Sequence, residues 1–150
     1  MRIRIPHEWQ PRPYQRPLWD YLERGGREAV AVWHRRAGKD ELSLNKAAVA
    51  CMTRPANYWH GLPQYAQARK AIWEAVNPHT GKKRIDEAFP KELRTRTDQT
   101  TMTIEFKTGS VWRVVGMDNP DTLVGAPPAG IVLSEFALAN PSPYAYLSPI

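Results

Sequence analysis

Between residues 29 and 41 the chain runs AVAVWHRRAGKDE. Its first five residues form a short apolar run of the kind found in a strand buried on both faces. From Glu41 the segment ELSLNKAAVACMT predicts a helix, with Leu42, Leu44, Ala47, Ala48 and Cys51 partly on one side. HRRAGKD therefore joins a strand to a helix. That is the setting a phosphate-binding loop needs, because loop N–H groups and a helix N-terminus both attract anionic oxygens. Gly38 permits close backbone approach, and Lys39 is placed to reach outer phosphates. The pattern G-x-x-x-x-G-K-[ST] is half met: Trp33 stands at its first glycine and Asp40 at its hydroxyl position. The competing reading is a basic turn capped by Asp40.

Working outward, residues 1–13 are proline-broken and extended. Leu18, Tyr21 and Leu22 then fall at helical spacing, and Gly25-Gly26 end that pattern. On the C-terminal side, NYWHGL (57–62) is a second short strand, and residues 63–76 are helical through Ala68, Ile72 and Ala75 or Val76. Residues 77–96 are basic and mixed, with a short helix near 86–89. Met102, Ile104 and Phe106 alternate onto one face, a turn follows at 107–110, and residues 110–115 return as a partner strand. IVL (131–133) is a late buried strand ending in Ser134 and Glu135. Strands alternating with helices, then a hairpin, give an α/β fold with a mostly parallel central sheet and one antiparallel excursion.

The composition is that of a single globular domain: 150 residues, 42% hydrophobic and 24% charged. No apolar run reaches membrane-span length and the first ten residues lack a signal-peptide core, so a cytoplasmic setting without membrane attachment is expected. A net charge of +6 makes a polyanionic partner plausible. Lys82, Lys83, Arg84, Lys91, Arg94 and Arg96 form the densest basic region, either a nucleic-acid contact or a solvated face. Trp59, Trp73 and Trp112 are expected in the core, as is the lone Cys51. His34 is structural rather than a general base.

Beyond these residues the chain resembles the phage large terminases, the P-loop ATPases that pump DNA into preformed capsids. HRRAGKD resembles their Walker A variant, and PRPYQRPLWDYL their adenine-binding segment, in which Tyr14 and Gln15 contact the base. LPQYAQARKAIWE is similar to the segment after their second strand, and NPDTLVG (119–125) to the loop before Walker B. The resemblance implies a P-loop NTPase (RecA/ASCE-like) three-layer sandwich binding ATP and Mg2+. Tyr14, Gln15, His34, Arg35, Arg36, Ala37, Gly38, Lys39, Asp40 and Glu41 would hold the nucleotide. Lys39, Arg35 as an arginine finger and Glu135 as the residue activating water would carry catalysis. Asp40 and Ser134 are unusual, because the loop carries a carboxylate where a hydroxyl belongs and the strand the reverse. They are read as having exchanged roles at the metal.

Two departures qualify the match. Val124 replaces an arginine often found before the glycine of the NPD loop. The family also continues beyond the equivalent of Ile150 into a coupling motif and an RNase H-like nuclease domain. The chain thus corresponds to the front of the ATPase domain, with one sheet edge expected to be uncovered. Implied partners are double-stranded DNA, a portal protein, a small terminase subunit and further copies in a ring, within the host cytoplasm. A helicase-like translocase and a non-catalytic nucleotide- or DNA-binding remnant are the alternatives.

Overall fold

A computed structural model describes residues 9–34, 37–118 and 127–135. Arg35, Arg36, the NPD loop at 119–125 and residues 136–150 lie outside the described residues. The chain forms α1 (Arg16–Glu23), α2 (Lys39–Thr53), β1 (Asn57–Leu62), α3 (Tyr65–Ala68), α4 (Arg84–Ala88), β2 (Arg94–Asp98), β3 (Thr103–Phe106), β4 (Val111–Gly116) and β5 (Gly130–Leu133). The strands make one five-stranded mixed sheet in the order β2-β3-β4-β1-β5. β1 is parallel to both β4 and β5, while β3 runs antiparallel to β2 and β4. The mixed α/β class and the single reversed strand agree with the sequence reading.

Alternation along the strands sorts the core. Tyr58 and Leu62 of β1, Trp112 and Val114 of β4, and Ile104 and Phe106 of β3 join one large cluster. Leu44, Ala48, Cys51 and Met52 of α2 enter it, with Ala68, Ile72, Trp73, Ile85 and Phe89. Trp73 and Trp112 stack at 6.4 Å and 13°, and Phe89 lies 4.6 Å from the Trp112 ring. Trp73 and Trp112 are thus core residues, as expected, and Trp59 is half-buried. On the opposite face Val115 and Met117 pack with Trp59 and Leu133 in a smaller cluster. Cys51 is fully buried, and burial pushes its thiol up to about 12.

Three expectations need correction. Residues 29–33 are not a strand: they pair with nothing among the described residues, and Val30 and Val32 are 90% and 89% exposed. An apolar run becomes a strand only when neighbouring strands take its backbone hydrogen bonds, and among the described residues no strand does. The helix expected over 63–76 is two short pieces, α3 and a π-type turn at Arg69–Trp73. That wide turn stops at Trp73, and Val76 is half-exposed. Finally, 94–98 is an edge strand, and Arg94 belongs to the fold rather than to a nucleic-acid surface. Its side chain is 6% exposed, and it donates to Asp86 Oδ1 (2.9 Å), Phe89 O (2.8 Å) and Ile85 O (3.1 Å). Arg96 is 65% exposed and pairs with Asp98 at 3.2 Å. No described helix is long and apolar enough to cross a membrane.

Candidate nucleotide and cation site

Gly38 caps α2 in the left-handed region, at φ 81° and ψ 29°. Glycine reaches this conformation freely, and a Cβ here would meet Gln15 Nε2 at 2.6 Å. The close approach exists because Gln15, fully buried, is a strut under the loop. Its Nε2 donates to Ala37 O (3.0 Å) and Gly38 O (3.3 Å), and its Oε1 accepts from Arg12 N at 2.9 Å. Tyr14 adds a hydroxyl donor to Ala37 O at 2.8 Å. In a trans peptide the N–H points opposite to the C=O. Fixing the carbonyls of Ala37 and Gly38 against Gln15 therefore turns the N–H groups of Gly38 and Lys39 the other way. These N–H groups, heading a 15-residue helix, form an anion-directed surface.

Lys39 folds back across this loop, its Nζ donating to Trp33 O at 2.8 Å. Trp33 packs edge-on against Tyr14, with ring centroids 5.9 Å apart. His34 is exposed, and its carbonyl accepts from Ala37 N at 3.3 Å, closing the loop. Glu41, in the first turn of α2, accepts from Trp9 Nε1 at 2.9 Å. Of the residues assigned to the nucleotide, Tyr14, Gln15, His34, Ala37, Gly38, Lys39, Asp40 and Glu41 thus surround one loop. Tyr14 and Gln15 meet it as backbone supports.

The two unusual residues come together. β5 continues β1 through Ser134 N→Gly61 O (2.8 Å), which carries Ser134 to the C-terminal end of the parallel strands. There its Oγ donates to Asp40 Oδ1 at 2.8 Å, across 94 residues of sequence. His60 of β1 lies beneath, with Nε2 3.6 Å from the same Oδ1. The Asp40 side chain is 44% exposed and that of His60 only 1%. Burial pushes the Asp40 carboxyl up, but His60, the Ser134 hydroxyl and Lys39 together outweigh it and hold its pKa below the usual value. Glu135 follows at an exposed turn, in a left-handed conformation (φ 54°).

A carboxylate and a hydroxyl in contact offer hard oxygens to a cation, and the hydroxyl can donate to Asp40 while its lone pairs stay available. The described residues hold no group of three or more His, Cys, Asp and Glu able to bind a metal. The pair fits magnesium, which keeps several waters and takes one or two protein ligands beside phosphates. His60 was missed by the sequence reading. Its signal was a polar residue sharing the core face of β1 with Tyr58 and Leu62. Comparison with protein-family models, curated proteins and solved structures finds no match to this chain.

Proposed function

We propose that the chain is the ATP-binding and hydrolysing part of a P-loop DNA-translocating motor of the large-terminase kind, built on the three-layer P-loop sandwich. The observation that carries this reading is the Asp40–Ser134 hydrogen bond. It joins the head of the loop-bearing helix to the end of a strand parallel to β1, where α/β folds gather their ligands. A strand order with β5 beside β1 is only loosely compatible with that fold.

The polyphosphate lies against the Gly38 and Lys39 N–H groups, and Lys39 leaves the Trp33 carbonyl to meet it. Asp40 places a negative charge at the same helix end, so phosphates approach with an accompanying cation. Asp40 and Ser134 would hold magnesium, which would supply positive charge to offset that of the phosphates. Glu135 polarises the attacking water, and Arg35 is assigned to the charge developing on the transferred phosphoryl. In the whole motor, hydrolysis would drive double-stranded DNA into a procapsid through a ring of subunits docked on a portal, with a small subunit selecting the DNA.

The test is ATP binding and turnover by wild type, Lys39→Ala and Glu135→Gln. Wild type is expected to hydrolyse ATP, Lys39→Ala to lose binding, and Glu135→Gln to bind without turnover. A second reading, nucleotide binding without hydrolysis, is favoured by Lys39 resting on Trp33 O. It predicts binding but no turnover in the wild type.

A further inference from the structure

Among the described residues, His60 is a fully buried polar side chain that the proposed chemistry leaves unused. Neither ring nitrogen has a hydrogen-bond partner among the described residues. Such a group is retained at a free-energy cost and calls for an explanation. Packing gives none: its neighbours on the same face of β1 are Tyr58 and Leu62, and its closest ring partner is Trp112, edge-on at 6.5 Å. An apolar side chain would fill this space without stranding two polar atoms. What the imidazole adds is Nε2, placed 3.6 Å from Asp40 Oδ1.

Resting on the reading of Asp40 and Ser134 as a cation site, we propose that His60 is its positioning residue. An imidazole carrying a proton on Nε2 donates to Asp40 Oδ1 once the carboxylate turns inward. The gap to close is about 0.6 Å, given ordinary N–H···O lengths. Ser134 Oγ already donates to that oxygen at 2.8 Å, so the two donors together fix Oδ1 and leave Oδ2 to the ion or its bound water. Outer partners of this kind set the orientation of a ligand and typically contribute 10–100-fold to metal affinity.

The probe is Mn2+ alone, titrated by electron paramagnetic resonance into the full chain and into Asp40→Asn, His60→Leu and His60→Gln. Gln is the informative partner variant, because its amide can present an N–H near the position of Nε2. Expected are a site lost in Asp40→Asn, weakened roughly tenfold or more in His60→Leu, and held to within about threefold of wild type in His60→Gln. Equal affinity in His60→Leu and wild type overturns the proposal. So does equal weakening in the Leu and Gln variants, or a wild type with no Asp40-dependent site. Should His60→Leu fail to fold, the tautomer decides: long-range 1H–15N spectra of the wild type must place a proton on Nε2, and a proton on Nδ1 alone overturns the proposal. ATP binding is measured separately, with Lys39→Ala as control. Its failure beside an intact Mn2+ result overturns the nucleotide reading and leaves His60 in place.

Discussion

Asp40 and Ser134 carry the sharpest residue-scale expectation. Asp40→Ser and Ser134→Asp should each lose most Mg2+-dependent ATP turnover, and the double exchange should recover a substantial part of it. Steady-state hydrolysis of the four proteins measures this, and two harmless single variants would refute an exchange of roles. Asp40 also has a consequence for pH. Its pKa is lower folded than unfolded, so its stabilisation is fully present above the usual carboxylate range and is lost as pH falls through the depressed value. Asp98 shifts the same way, chiefly through the Thr101 backbone N–H, with burial opposing and the Thr100 N–H assisting. Urea midpoints followed down to about pH 3 should therefore fall less steeply in Asp40→Asn than in wild type, with the Asp98 contribution remaining.

At the scale of elements, the junction at Gly38 is held by shape as well as hydrogen bonds. Gly38→Ala combines a positive φ with a Cβ 2.6 Å from Gln15 Nε2, and should cost about 2 kcal/mol or more in chemical denaturation. Gln15→Ala should cost about 1–3 kcal/mol, and the two changes should not add, since they damage one contact. The elements legible in the sequence were those whose own pattern suffices. The alternation of Met102, Ile104 and Phe106 gave β3 and its turn, and NYWHGL gave β1. The apolar spacing of Leu44, Ala48 and Cys51 gave the core face of α2. β2 escaped notice because RTRTD, half-exposed at the sheet edge, has no apolar face to betray it. Residues 29–33 misled in the opposite way: their composition is that of a central strand, but pairing is a property of neighbours rather than of the segment. The pairing of Asp40 with Ser134 was legible from residue types, whereas the place of His60 beneath Asp40 needed the folded chain.

For the whole molecule, the telling feature is apolar surface left in water. Val30 and Val32 are about nine-tenths exposed, and β5 pairs only with β1 among the described residues. Contiguous exposed apolar chain favours association. Val30→Lys combined with Val32→Lys should leave folding stability within about 0.5 kcal/mol, because no buried contact is removed. The same change should reduce self-association in sedimentation velocity. Charge is spread with less purpose than its sum suggests. Of the basic residues grouped in sequence at 82–96, Arg94 is an internal brace and Arg96 faces Asp98.

If the chain binds nucleotide as proposed, the bond from Lys39 Nζ to Trp33 O supplies an optical gauge of that event. On the proposed reading, a phosphate that captures Lys39 frees the Trp33 backbone carbonyl, and the Trp33 indole, packed edge-on against Tyr14, changes surroundings on binding. Tryptophan emission should therefore shift on adding nucleotide and Mg2+, and the shift should vanish in Trp33→Phe. The same signal, followed in a stopped-flow instrument, would time the departure of the lysine from its resting place.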